Sequence, residues 1–500
     1  MPRIRIRSTD ELVNSTPLER FVRFITGGER WTHHHLTVFV LTFFSFAFIH
    51  AARKTLSTVK PSLIATWTHG TPTVPALFPS EQSASEFLAV LDGGFLLAYS
   101  FGLFGGGMLG DRYNPRVVLS IGMWLSSIAV FLFGYATEYF HLYSKTLYAF
   151  LWISGGLFQS VGWPTEICIV GKWFGSSSRG AVMGVWSACA SVGNIIGTVI
   201  SSKLVLMGYQ YAFAANSLLL FMFGFIVYFN LKSAPREVGL PDPIESPDEF
   251  VRVIEEPTQR PQPISFTRAC LLPGVLAYSL AYACLKLVNY GFFFWLPFYL
   301  HSHFRWAEAD ADKLSAWYDV GGIVAAILAG AASVRTSFSS SIILSFRTSS
   351  FSLILESPAS YVINGILLVI IGFFIGGPAN MISSSVSADL GKSRELRGNT
   401  EALSTVTGIV DGTGSFGAAL GQLLIPSVQA IFGWGAVFYG FIVMIVCTAA
   451  CLVPLLYREI LLRRRNTYTS LSSDSEDESE DVISADEGVR RRVVTGDDAE

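Results

Sequence analysis

Apolar runs of about twenty residues recur along the chain, each long enough to cross the hydrocarbon core of a bilayer as a helix. They lie near 36–56, 87–109, 117–136, 147–169, 181–203 and 211–231. After a polar interval they resume near 271–300, 316–334, 340–356, 361–385, 402–426 and 435–457. Inside lipid, backbone polar groups are satisfied only within helices or closed barrels. The expected fold class is therefore an all-α membrane protein with twelve transmembrane helices. Composition agrees, because 51% of the 500 residues are apolar and 15% charged, with mean hydropathy +0.46. Soluble domains are more charged than this.

The longest interior polar stretch, 233–268, divides the runs six and six. The two halves also echo each other. Asp92-Gly93-Gly94 resembles Asp319-Val320-Gly321-Gly322, an offset of 227 residues. Arg179-Gly180 followed by Ser191 to Asn194 resembles Arg397-Gly398 followed by Gly412 to Gly417, an offset of 218. Similar offsets imply duplicated six-helix halves with a binding site at their interface near the midplane. The expected organisation is a cytosolic segment (1–35), a six-helix bundle (36–232), a cytosolic linker (233–268), a second bundle (269–457) and a disordered acidic tail (458–500). No cleavable signal is expected in the arginine-containing opening. Basic residues at 3–30, Arg112, Arg116, Lys172, Arg179 and Arg463 to Arg465 fall on one side, which places both termini in the cytosol.

Between two runs, Gly105-Gly106-Gly107-Met108-Leu109-Gly110 leads into Asp111-Arg112-Tyr113-Asn114-Pro115-Arg116. The glycines allow close helix approach, and Pro115 ends the helical register. Asp111, Arg112 and Arg116 stand where a charge network locks or releases one conformation, which suits a carrier that alternates between shapes. Trp163-Pro164 is expected to kink the fourth helix and to turn backbone groups toward a cavity.

Ionisable groups inside a membrane are costly and usually face a cavity or a partner. Arg53 and Lys54 close the first run, with His50, Arg53 and Ser57 on one helical face; the bland reading is snorkelling to the interface. A planar guanidinium holds phosphate bidentately, making Arg53 the better ligand and Lys54 its helper. Lys286 opens the second half in the same way, sharing a face with Asn289 and Tyr290. Two cations meeting at the midplane suit a dianion, while an ion pair between Lys286 and an intramembrane acid is the alternative. The acids Asp92, Glu166, Asp319 and Asp411 are expected to pair with cations or cap helices rather than relay protons. Residues 333–359, with Arg335, Arg347 and Glu356, make a poor ninth helix, because a central charge costs about 2.5–3.5 kcal/mol on insertion scales. Either neighbours shield it or the segment is an altered exon or misread frame. No nucleophile–base pair, catalytic group, metal cluster or cofactor motif stands out, and the His33 to His35 stretch is not a metal site. The chain is not expected to be an enzyme.

Together Arg53-Lys54-Thr55-Leu56-Ser57, Asp111 to Arg116, Gly162-Trp163-Pro164 and Lys172 through Gly180 resemble the organophosphate:phosphate antiporter branch of the major facilitator superfamily. Phe174 to Gly197, Asp319 to Gly322, Ser387 to Gly391 and Ala402 to Ser415 carry a closer likeness to eukaryotic sugar-phosphate exchangers, relatives of the glucose-6-phosphate translocase. The likeness spans nearly all of 36–457 except 333–359. It implies a major facilitator fold of two six-helix bundles that exchange inorganic phosphate for a sugar phosphate by rocking around one site. The implied partners are those solutes and membrane lipid, with no nucleic acid and no cofactor, in the endoplasmic reticulum membrane. The family's first-helix phosphate ligand maps onto Arg53. Three positions depart from it: Asn289 stands where bacterial members place an arginine, Leu103 replaces a second-helix lysine, and Cys189 or Ala190 replaces a fifth-helix histidine. The alternatives are a proton-coupled or facilitative carrier of another small solute, and a transport-inactive receptor or scaffold.

Overall fold

A computed structural model describes residues 31–69, 75–174, 176–241, 262–333, 360–391 and 400–494. The first run forms α1 (His33–Thr58), which contains neither proline nor glycine. Pro61 in the first turn of α2 (Lys60–Thr68) lacks an N–H, so the chain restarts there rather than continuing α1. The second run forms α3 (Glu81–Arg112), begun by Ser80, whose hydroxyl accepts from the Ser83 amide. α4 (Pro115–Phe131) follows a two-residue break, with the Asn114 side chain capping it and Pro115 at its first position.

The fourth run is two helices, α5 (Lys145–Gln159) and α6 (Gly162–Trp173). The break falls at Ser160–Val161, just before the expected Trp163-Pro164 kink, because Pro164 offers no donor to the Ser160 carbonyl. The fifth run likewise divides into α7 (Ser176–Ser187) and α8 (Cys189–Leu204), and α9 (Tyr209–Asn230) completes the first half. The second half comprises α10 (Phe266–Cys270), α11 (Val275–Phe304), α12 (Glu308–Ser333), α13 (Tyr361–Met381), α14 (Ser387–Gly391) and α15 (Leu403–Val494). The extended pairing among the described residues is a two-residue parallel bridge, Gln262–Pro263 with Thr400–Glu401.

Eight helices among the described residues are long and apolar enough to cross a membrane. The fourth run is broken into pieces of 15 and 12 residues, and the eighth run lies in α12, whose first turns carry Glu308, Asp310, Asp312 and Lys313 ahead of an apolar stretch that holds Asp319. The eleventh and twelfth runs merge in α15, interrupted at Gly433, whose φ of 78° lies in the left-handed region that glycine tolerates. The doubtful ninth run, 340–356, lies outside the described residues, as do Arg397-Gly398 of the internal echo.

Residues 450–500 form a separate unit. Composition leads to an expectation of disorder over 458–500, and the described backbone is helical through Val494. No proline follows Pro454 and only Gly488 interrupts the run, so nothing in the backbone chemistry stops the helix.

Glycines set the contact between α3 and α15. A Cβ on Gly107 would meet the Ser404 carbonyl oxygen at 2.7 Å, and one on Gly408 would meet the Leu103 oxygen at 2.5 Å. The expected glycine-mediated approach is thus between the second and eleventh runs. Gly408→Val is expected to cost about 1–3 kcal/mol through overpacking, read as a lowered unfolding temperature of the purified protein.

Candidate functional site: a charged cavity between two latches

Site geometry begins with Pro297 inside α11. Its missing N–H leaves the Phe293 carbonyl without its intrahelical donor. Two α1 side chains supply donors instead: Lys54 Nζ and Ser57 Oγ each donate to Phe293 O at 2.7 Å. One turn further, Lys60 Nζ donates to Phe294 O at 3.0 Å and to Asp92 Oδ2 at 2.6 Å. The same ammonium lies 3.7 Å from the centre of the Trp295 ring. Both Lys60 and Asp92 are fully buried. The proline-containing stretch of α11 is therefore latched to α1, α2 and α3 by charge-assisted bonds.

A second latch lies nineteen residues along α3, about 28 Å away at the helical rise. Asp111 accepts from the amides of Ser404 (3.2 Å) and Thr405 (3.0 Å) and from Thr405 Oγ1 (2.6 Å). These amides are among those that open α15 with no intrahelical acceptor, so a carboxylate satisfies them and complements the helix dipole. Among the described residues no ion pair joins Asp111 to Arg112 or Arg116: Arg112 is exposed, and Arg116 Nη1 donates to the Leu231 carbonyl at 3.3 Å. Asp111 is instead engaged by the first amides of α15. Trp163 adds a further tie across the halves, its Nε1 donating to Ser383 O at 2.9 Å. Pro164 is buried in the first turn of α6.

Between the latches lies a cavity of about 50 Å³, room for a few water molecules. Lys54, Tyr99, Lys286, Asn289, Tyr290 and Asp411 are among the side chains that line it, with Trp163 nearby on the same wall. Tyr282, Lys286, Asn289 and Tyr290 come together because spacings of three, four and seven place them on one face of α11. Asn289 Oδ1 accepts from the Tyr318 hydroxyl at 2.6 Å. Lys286 Nζ is bound to Asp411 Oδ1 and Ser415 Oγ, each at 2.8 Å, which realises the ion-pair alternative.

Arg53 stands behind this wall rather than in it. Its Nε donates to Gln159 Oε1 at 3.0 Å and its Nη1 to the Tyr290 hydroxyl oxygen at 2.8 Å, while the guanidinium lies 4.4 Å from the Tyr99 ring centre. Nη2 is buried and has no partner among the described residues. Because Tyr290 accepts from Arg53, its own hydroxyl proton is left to point elsewhere, and Tyr290 lines the cavity. Among the described residues neither Arg53 nor Lys54 has a carboxylate within ion-pair distance, whereas Lys60 and Lys286 each do.

Of the acids, Asp92 and Asp411 pair with lysines, Glu166 accepts from Ser45 Oγ, and Asp319 Oδ1 accepts from Asn194 Nδ2 at 2.7 Å. Asn194 Oδ1 lies 3.0 Å from His50 Nδ1. The departures noted in sequence are placed too. Leu103 is buried and its backbone faces Gly408, and of Cys189 and Ala190 it is Ala190 that lines the cavity. Sequence reasoning missed Tyr99, Asn194 and Tyr318 as cavity residues and missed the Lys60–Asp92 pair. Asn194 had a legible signal, a polar residue one turn from Ser191 on an apolar helix. Tyr99 and Tyr318 had none that separates them from core aromatics.

Residues 42–400 match the Major Facilitator Superfamily. The chain is 48% identical to "Sugar phosphate exchanger 3" of Bos taurus over 481 residues, covering 88% of this chain and 96% of the relative. It is 33% identical to "Glucose-6-phosphate exchanger SLC37A2" of Xenopus tropicalis over 486 residues, with 88% and 96% covered. The fold matches a D-xylose-proton symporter crystal structure with TM-score 0.62 at 14% identity, covering 84% of this chain and 97% of that one. The proton:xylose symporter XylE bound to 6-bromo-6-deoxy-D-glucose matches with TM-score 0.63 at 12% identity, covering 84% and 96%. With its helical architecture, its paired latches and these matches, the chain belongs to the Major Facilitator Superfamily, among the sugar phosphate exchangers.

Proposed function

We propose that this membrane carrier exchanges inorganic phosphate for a sugar phosphate of the glucose 6-phosphate kind. The observation that carries the reading is the pair Arg53 and Lys54, two buried cations without a carboxylate partner among the described residues beside a cavity between the halves. Buried charge without a counterion is costly, and a phosphoryl dianion supplies two negative charges where they are missing. Lys54 and the Tyr290 hydroxyl, polarised by Arg53, hold the phosphoryl group, and Asn289 and Lys286 complete the wall. Lys286 contributes less than Arg53, because Asp411 already answers its charge. The names of the relatives, sugar phosphate and glucose-6-phosphate exchangers, favour the same substrates.

Alternating access then follows from the latches. The halves 36–232 and 269–457 rock about the cavity, opening at Lys54–Ser57–Lys60 on one side and at Asp111 and Trp163–Pro164 on the other. Arg116 anchors the turn that carries Asp111 through the Leu231 carbonyl, and Arg112 flanks it on the exposed side. Exchange is obligatory because an occupied site offsets the cavity's charge and an empty one does not. The reading includes residence in the endoplasmic reticulum membrane with both termini cytosolic. Vesicles containing the purified protein and loaded with phosphate take up labelled glucose 6-phosphate, and vesicles lacking internal phosphate do not. Uptake indifferent to internal phosphate overturns the exchange.

A further inference from the structure

The cavity wall carries one acid that the exchange reading leaves unused. Asp319 of α12 is buried, lines the cavity, and accepts from Asn194 Nδ2 on the opposite half. No cation lies within ion-pair distance of it among the described residues, in contrast to Asp92 and Asp411. The charges around the cavity are then Arg53, Lys54 and Lys286 against Asp319 and Asp411, which leaves one positive charge; Lys60 and Asp92 cancel. A phosphate monoester carries close to two negative charges at neutral pH. Its entry brings the site to a net negative charge in a medium that tolerates unpaired charge poorly. Glu166 and Asp312, buried carboxyls outside the cavity wall, only add to the negative side when ionised.

We propose that Asp319 is a proton-binding residue of the exchange site, protonated whenever a phosphoryl dianion occupies the cavity. The step balances simply. The Asp319 carboxylate takes one proton from the water-filled side on which the dianion enters, and returns it on the side where the dianion leaves. The neutral carboxyl keeps one oxygen on Asn194 and turns its O–H toward the substrate. The titratable groups that share the cavity with Asp319 are Lys54 and His50 on α1, Tyr99 on α3, Tyr282, Lys286 and Tyr290 on α11, Tyr318 on its own helix and Asp411 on α15, with Ser191 and Asn194 on α8 beside it and Asn194 bridging to His50. α13 carries no charged residue, α7 only Arg179 in its first turn, and α8 only Lys203 in its last. The sign follows: the protonated wall binds the dianion, so affinity falls as pH rises.

This inference rests on the exchange reading, and the test separates the two. Phosphate-loaded vesicles of the native protein and of Asp319→Asn are assayed for labelled phosphate uptake from pH 6 to pH 8. Phosphate's own titration is common to both proteins, so only the difference between the profiles is read. Phosphate-induced thermal stabilisation of the purified proteins is measured over the same range, and it reads binding even if the variant does not transport. The expected result is an apparent phosphate affinity that falls about tenfold more across this range in the native protein than in the variant. Parallel profiles, in flux or in stabilisation, overturn the role of Asp319 and leave phosphate exchange standing. A native protein that neither exchanges nor binds phosphate overturns the exchange reading itself, and the proposal with it.

Discussion

Arg53→Ala lowers phosphate-dependent uptake of labelled glucose 6-phosphate by at least about thirtyfold, the effect of about 2 kcal/mol expected when a buried, hydrogen-bonded charge contact is lost. The side chain is fully buried and ties three elements together, Gln159 at the end of α5, Tyr290 on α11 and the face of Tyr99 on α3. Removing it withdraws the positive charge behind the cavity wall. It also leaves Gln159 Oε1 without its donor and frees the Tyr290 hydroxyl to turn away. Arg53→Lys is expected to recover little, because a single ammonium cannot reach Gln159 and Tyr290 in the fixed fork that a guanidinium offers. Uptake assays at matched protein density check both variants. Near-native uptake by the alanine variant would count against the phosphoryl site.

The second large effect is on stability. Asp92→Ala leaves the Lys60 ammonium buried without a counterion among the described residues, held by Phe294 O and the Phe294 and Trp295 rings, and is expected to destabilise the protein by about 3–5 kcal/mol. Replacing both partners with apolar residues, Lys60→Met with Asp92→Leu, is expected to recover most of that loss, since an apolar pair of similar volume avoids desolvation. Unfolding of the purified variants reads the difference. The double variant is also expected to exchange poorly despite its restored stability, because the ion pair belongs to a latch between the halves. A stable double variant with native exchange rates would show that this pair is structural and not part of the gate.

Much of the architecture was legible because membrane insertion writes a strong signal into sequence. Long apolar runs, the polar stretch at 233–268 and the Asp92/Asp319 echo come from hydropathy and spacing alone. Lys54, Lys286, Asn289 and Tyr290, which line the cavity, stand out in sequence for the same reason, being polar groups where lipid-facing helices have none. What was not legible is pairing. Nothing in the order of residues says that Asp411 reaches Lys286, that Asp92 reaches Lys60, or that Asp111 turns from its neighbouring arginines to the first amides of α15. Each depends on which helix packs beside which. The role of Pro297 was hidden in the same way, since a freed carbonyl acquires meaning only once Lys54 and Ser57 are seen to donate to it.

The central claim is tested most directly by the structure of the protein with bound phosphate. Phosphate oxygens are expected about 2.7–2.9 Å from Lys54 Nζ and from the Tyr290 hydroxyl or the Arg53 guanidinium, with Lys54 drawn off the Phe293 carbonyl. Phosphate bound in contact with none of these three residues would contradict the claim.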